Sequence, residues 1–109
     1  MKKSVFTHSR LAGFHFYPDA PEECKYLEAK HRHIFDVYCF VNVEHNNRDV
    51  EFIGFQDEYE RELHRQFGEP LELGAMSCED LACWLLEKYP KIHKVIVQED
   101  GNGGTEIAR

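Results

Sequence analysis

The feature that most constrains the fold of this chain is the alternating run 31–43, HRHIFDVYCFVNV. Side chains two residues apart on a strand point to the same face, and both faces of this run are partly apolar. The pattern predicts a long strand that is covered, at least in part, on both faces. Because His31 and His33 share one parity, we expect their imidazoles side by side at the start of this strand.

A third histidine, His15, is separated from His31 by fifteen residues and lies in a second strand-like stretch, GFHFY at 13–17. Neutral imidazole is the commonest protein ligand of zinc, and three protein ligands leave a fourth position for water or substrate. The spacing of His15, His31 and His33 therefore predicts an open catalytic zinc site. The alternative for a strand pair of histidines is an exposed or hydrogen-bonded pair without a metal.

The other elements follow from residue periodicity and from turn residues. Apolar residues at i+4 spacing predict one helix over 55–68, and a Ser77 N-cap followed by acidic residues predicts a second that Pro90 ends. We expect four main strands at 4–17, 31–43, 92–98 and 105–108 and a short extra strand at 50–55, with loops at 18–30 and 69–76. The order ββααββ predicts an α+β fold in a single domain, 1–109: an antiparallel four-stranded sheet with two helices on one face.

Composition restricts the possible partners. The chain of 109 residues has a net charge of −7 and no cluster of Lys and Arg, so we expect neither nucleic acid nor a membrane surface as partner. No signal peptide or membrane-span pattern is seen. The four cysteines form no C-x-x-C pair and are interpreted as free thiols of a cytoplasmic protein.

Three motifs occur in a recognisable order. His15 is followed by the His31-Arg32-His33 motif, then by AMSCEDLA at 75–82, and then by VIVQE at 95–99 before a Gly-rich turn. In this order the chain resembles the 6-pyruvoyl-tetrahydropterin synthase / 6-carboxytetrahydropterin synthase family, which has the tunnelling fold. The likeness extends over nearly the whole chain, with Arg32 where the family usually has glycine and AMSCEDLA where it has P-T-x-E-N-L-A.

The resemblance implies a zinc-dependent carbon–oxygen lyase that acts on 7,8-dihydroneopterin triphosphate or a related pterin. It implies that His15, His31 and His33 hold Zn²⁺, that Cys24 is the catalytic base, and that Glu99 anchors the pterin ring. A carboxylate suits that last role, because it accepts two parallel hydrogen bonds from adjacent donors. Family members also join their sheet edges, which implies a homo-oligomer, a trimer or hexamer, and exposed edges favour such pairing.

The chain departs from the family pattern near the implied chemistry. Cys24 lies seven residues before His31, farther than usual, and the segment 68–76 contains neither His nor Asp, so the family's Asp–His pair has no clear counterpart. Two alternatives therefore stand beside the enzyme: a catalytically degenerate tunnelling-fold protein that binds a pterin-like or purine-like ligand, or a scaffold. For the single residues, the alternative for Cys24 is a loop thiol without a task, and the alternative for Glu99 is a solvated carboxylate at a strand end.

Overall fold

Two long antiparallel strands form the centre of the sheet. In the computed structural model, which describes residues 1–109, β1 (Lys3–His15) and β2 (His31–Val43) pair without interruption from Lys3 opposite Val43 to His15 opposite His31. The predicted strand at 31–43 is confirmed with its bounds. The register brings the end of β1 beside the start of β2, where His15, His31 and His33 lie.

Three further strands complete the sheet in the order β3-β1-β2-β4-β5. β4 (Ile92–Glu99) pairs antiparallel with β2, β5 (Gly103–Ala108) pairs antiparallel with β4, and the two-residue β3 (Leu71–Glu72) pairs parallel with β1. The mixed α+β class is confirmed, whereas the predicted four-stranded antiparallel sheet is wrong: the sheet has five strands and is mixed.

The fifth strand escaped prediction because two residues cannot show a strand period. β3 joins β1 at Gly13, where the backbone approaches closely: a Cβ there would lie 3.1 Å from Leu71 Cβ and 3.1 Å from the Phe35 ring. The absence of a side chain at Gly13 therefore makes room for Leu71, which is fully buried. The segment 69–76 was expected to be a loop only, and this contact corrects that expectation.

The first helix, α1 (Phe52–Phe67), begins earlier than the apolar spacing suggested. The strand predicted at 50–55 is wrong, because the Glu51 carboxylate accepts hydrogen bonds from the backbone N–H groups of Ile53 and Gly54 and caps a helix there. A run of apolar residues this short does not distinguish a strand from a helix.

The second helix, α2 (Cys78–Lys88), begins as predicted: Ser77 and Asp80 form a reciprocal capping box. Neither α-helix is long and apolar enough to cross a membrane. Within the predicted loop 18–30, residues Glu22–Glu28 form 3₁₀ turns with a kink at Cys24.

Both helices contribute to one hydrophobic core on a single face of the sheet. In β1 and β2 the core-facing residues have the parity of Val37, and β4 adds Val97; both valines are fully buried. Against them lie buried residues of α1 and α2, namely Phe55, Tyr59, Leu63, Leu81, Ala82, Leu85 and Leu86. This face is continuous with the histidine end of β1 and β2.

A buried polar chain attaches α1 to β1. The Tyr59 hydroxyl lies 2.6 Å from Thr7 Oγ1 and 2.8 Å from Ser9 Oγ, and Ser9 Oγ donates to Glu60 Oε2 at 2.5 Å. Because Ser9 has one proton, Tyr59 must donate to Ser9 and accept from Thr7. Gln56 Nε2 adds a donor to Ser9 Oγ. The hydroxyl groups of Thr7, Ser9 and Tyr59 thus all have hydrogen-bond partners in this network.

We expect Tyr59→Phe to lower the free energy of unfolding by about 1–3 kcal/mol, because it removes two hydrogen bonds in a buried site. The matched control is Tyr26→Phe, at a side chain that is 76% exposed, where the change should stay within about 0.5 kcal/mol. Urea denaturation of the three proteins measures both values. Equal stability of Tyr59→Phe and Tyr26→Phe would contradict the network's contribution.

Candidate metal centre

The strand register gathers the three predicted histidines at one end of the sheet. His15 ends β1 and pairs with His31, the first residue of β2, while His33 follows two residues along the same strand. All three have the parity of the core-facing residues, so they lie on the helix side of the sheet. The ring centroids of His15, His31 and His33 are 4.6–5.2 Å apart.

Glu99, at the end of β4, points into the same cluster. It pairs with Phe35 of β2, and its Oε2 atom lies 3.1 Å from His15 Nε2 and 3.0 Å from His33 Nε2. One ligand atom from each of His15, His31, His33 and Glu99 can be chosen so that all lie within 4.8 Å of one another. His15 is buried and the other three are half-buried. This set could hold a metal ion.

The Nδ1 atom of each histidine already has a partner. His15 Nδ1 lies 3.0 Å from the Met76 carbonyl oxygen, and His31 Nδ1 lies 2.8 Å from that of Ala29. His33 Nδ1 lies 2.7 Å from Asp100 Oδ2. Carbonyl and carboxylate oxygens only accept hydrogen bonds, so all three imidazoles donate from Nδ1. In its neutral form each ring then carries its lone pair on Nε2, which is the tautomer a metal ligand needs.

This tautomer leaves acceptor atoms facing one another. His33 Nε2 is buried without a hydrogen-bond partner, and the nearby Glu99 Oε2 is also an acceptor. His15 Nε2 faces the same carboxylate oxygen. Acceptors at such distances repel unless a cation or a proton lies between them. A bound cation is one way to remove this repulsion, and three imidazole nitrogens with a carboxylate oxygen form a donor set that fits a divalent metal. Such donors suit Zn²⁺, whose ligands lie about 2.0–2.2 Å from the ion.

A cavity of about 570 Å³ adjoins the cluster. The histidines and Glu99 form one side of it, and residues of the 15–18 segment and of the start of α2 form much of the rest. No lysine or arginine lines the cavity. Besides the cluster, its lining includes Phe16, Tyr17, Pro18, Leu27, Ser77, Cys78 and Glu79.

Of Cys24 and Cys78, only Cys78 lines the cavity. Cys24, the base implied by the resemblance, lies at the kink of the 3₁₀ turns and is not among the residues that line the cavity. Cys78, at the start of α2, does line it and is buried. Burial, with a further contribution from the Glu99 carboxylate, raises the pKa of the Cys78 thiol to about 12. Cys78 is therefore a neutral thiol at pH 7.

Sequence reasoning missed the outer partners of the histidines. Met76 and Ala29 contribute backbone carbonyls, which every residue has, so the residue types at these positions do not indicate the contact. Asp100 does have a signal, a carboxylate in the Gly-rich turn directly after Glu99, but its proximity to His33 depends on the pairing of β2 with β4. A backbone hydrogen bond from Ile34 and a bond from His33 lower the pKa of Asp100, which keeps it ionised. Cys78 was also missed, because the resemblance directed attention to Cys24.

We expect zinc to stabilise the folded protein through this cluster. At a free zinc concentration of 100 times Kd, a ligand that binds only the native state adds about 2.7 kcal/mol, which raises Tm by about 10–20 °C in a domain of this size. Differential scanning calorimetry should show this rise in the parent protein and in His45→Ala, whose histidine lies in an exposed turn, but not in His31→Ala. An unchanged rise in His31→Ala would contradict the site.

Comparison with protein-family models and with curated proteins finds no match to this chain.

Proposed function

We propose that the protein is a zinc-dependent enzyme of the 6-pyruvoyl/6-carboxytetrahydropterin synthase type. Its reaction would be a carbon–oxygen lyase step on 7,8-dihydroneopterin triphosphate or a related pterin. The observation that carries the metal centre is the common tautomer of His15, His31 and His33, each held by an acceptor at Nδ1. The pterin chemistry rests on the resemblance described above.

Zn²⁺ held by these side chains would supply a Lewis acid that polarises substrate oxygens and acidifies a neighbouring C–H bond. The chain's own groups would orient the ring and move protons. Phe16 and Tyr17 offer apolar surface for a planar ring at one side of the cavity. The neutral Cys78 thiol, which lines the same cavity, would donate a proton to a bound substrate rather than accept one.

Glu99 has two roles open to it. Its distances to His15 and His33 support a fourth metal ligand, whereas the resemblance implies an anchor for the ring's adjacent N–H donors. Glu99→Gln distinguishes them, since an amide is a poor metal ligand and a mismatched ring acceptor. Loss of zinc would identify a ligand, and loss of pterin binding with zinc retained would identify an anchor.

The charge of the cavity restricts how a triphosphate substrate would bind. With Glu79 and Glu99 in the lining and no lysine or arginine there, a triphosphate tail would be repelled from the interior. The ring and its side chain would occupy the cavity, and the phosphates would extend from its open mouth. A related pterin without phosphates would avoid this repulsion.

A second function, a catalytically degenerate tunnelling-fold protein that binds a pterin-like or purine-like ring or acts as a scaffold, is favoured by two observations. Cys24 lies outside the cavity lining, and the segment 68–76 between the helices contains neither His nor Asp. In that case the cluster would bind zinc and a ring without turnover.

We also propose that the chain assembles into a homo-oligomer, a trimer or hexamer. β5 is an edge strand, and β3 pairs with β1 only at Gly13 and Phe14, so both edges of the sheet present unpaired backbone groups. Such edges favour pairing between copies. Light scattering should give three or six times the chain mass of 12.8 kDa at micromolar concentration, and a stable monomer would contradict assembly.

Protein purified without an affinity tag or chelator should contain about one zinc per chain by elemental analysis, and His15→Ala should lose it while remaining folded. The zinc-loaded protein should then convert 7,8-dihydroneopterin triphosphate. Zinc without turnover would favour the degenerate binding protein. No zinc, even on titration, would overturn the metal centre and leave the histidines as structural residues.

The thiol that moves the proton can be identified by three matched variants. If Cys78 donates a proton to the substrate, Cys78→Ser should lower kcat by about 100-fold or more. Cys24→Ser and the exposed control Cys83→Ser should stay near the parent value. A large loss in Cys24→Ser, with Cys78→Ser active, would instead support the base that the resemblance implies.

A further inference from the structure

The turn between β4 and β5 directs two consecutive carboxylates to the two nitrogens of one imidazole. Glu99 Oε2 lies 3.0 Å from His33 Nε2, and Asp100 Oδ2 lies 2.7 Å from His33 Nδ1. Consecutive side chains of an extended strand point to opposite faces. Asp100 departs from the extended backbone, with φ of 55°, in the left-handed region that Asp and Asn enter more readily than most residues. This departure allows both carboxylates to reach the same ring.

Asp100 is also fixed to β2 by a pair of hydrogen bonds. Its backbone N–H donates to the Ile34 carbonyl at 2.8 Å, and its Oδ1 atom accepts from the Ile34 N–H at 2.8 Å. These two bonds hold the carboxylate in the position where it accepts a hydrogen bond from His33 Nδ1–H. The orientation of the His33 ring is therefore set by the turn as well as by its own strand.

We propose that Asp100 is a positioning residue of the metal centre, which holds His33 in its Nδ1–H tautomer and directs Nε2 to the metal. This inference rests on the proposed metal centre and is independent of the substrate. Groups that orient a metal-bound histidine from outside typically account for 10–100-fold in metal affinity. Asp100 thus lies behind His33, on its Nδ1 side, whereas Glu99 lies within the cluster on the Nε2 side.

Two substitutions of Asp100 distinguish the contribution of its carboxylate to zinc binding from that of its backbone conformation. Asp100→Gly removes the carboxylate, and glycine adopts a positive φ without strain. Asp100→Asn keeps the left-handed preference and one acceptor oxygen, so it can retain one of the two side-chain hydrogen bonds. The matched control is Asp36→Asn: Asp36 accepts from His8 Nε2 at 2.7 Å, but its parity places it on the opposite face of the sheet.

Zinc affinity is measured by competition with a chromogenic chelator, and circular dichroism confirms that each variant is folded. We expect Asp100→Gly to weaken zinc binding by about 10–100-fold, Asp100→Asn to weaken it less, and Asp36→Asn to leave it unchanged. Affinity within twofold of the parent in Asp100→Gly would overturn the proposal. So would an equal loss in Asp36→Asn, since that would indicate a general effect of removing a carboxylate.

A second readout does not need the metal. ¹⁵N NMR of the histidine rings in the metal-free protein, at a pH where the rings are neutral, shows which nitrogen carries the proton. Asp100→Gly should shift His33 toward a mixture of tautomers, while His15 and His31, bonded to backbone carbonyls, keep theirs. If the parent binds no zinc, the proposed centre fails, yet an unchanged His33 in Asp100→Gly would separately overturn the role of Asp100.

Discussion

The antiparallel register of β1 and β2 is the constraint on which the rest of the site depends. It places His15 directly opposite His31 and Gly13 opposite His33. A slip of one residue would turn the side chains of one strand to the other face and separate the histidines. The register is specified by the buried face that both strands share, so the same burial that stabilises the core also brings the cluster together.

The sequence allowed the prediction of β2, of the start of α2 and of the three clustered histidines, because each depends on local period or on capping. It did not allow β3, which is too short to show a period and exists because Gly13 admits Leu71. It also misassigned the residues before α1, where the cap from Glu51 outweighs a short apolar run. The α+β class survives these errors because it depends only on the long elements.

The candidate site was predictable to the same depth as the fold. Histidine spacing along predicted strands indicated the triad, and the family resemblance implied that Glu99 is a site residue. The contact of Glu99 with His15 and His33 depends on the register of β4 against β2, which no local pattern reveals. Cys78 is similar, since its place in the cavity follows from how α2 packs beside the sheet end.

The outer hydrogen bonds of the cluster are of two kinds with different consequences for sequence change. His15 and His31 donate to the backbone oxygens of Met76 and Ala29. Any residue at these two positions would provide the same oxygen if the backbone followed the same path. His33 donates to a side chain, Asp100. Two of the three histidines are therefore oriented by the path of the backbone, so a substitution at Met76 or Ala29 that keeps this path also keeps their hydrogen bonds. The third depends on one side chain, so a substitution of Asp100 removes the bond to His33 even when the backbone is unchanged.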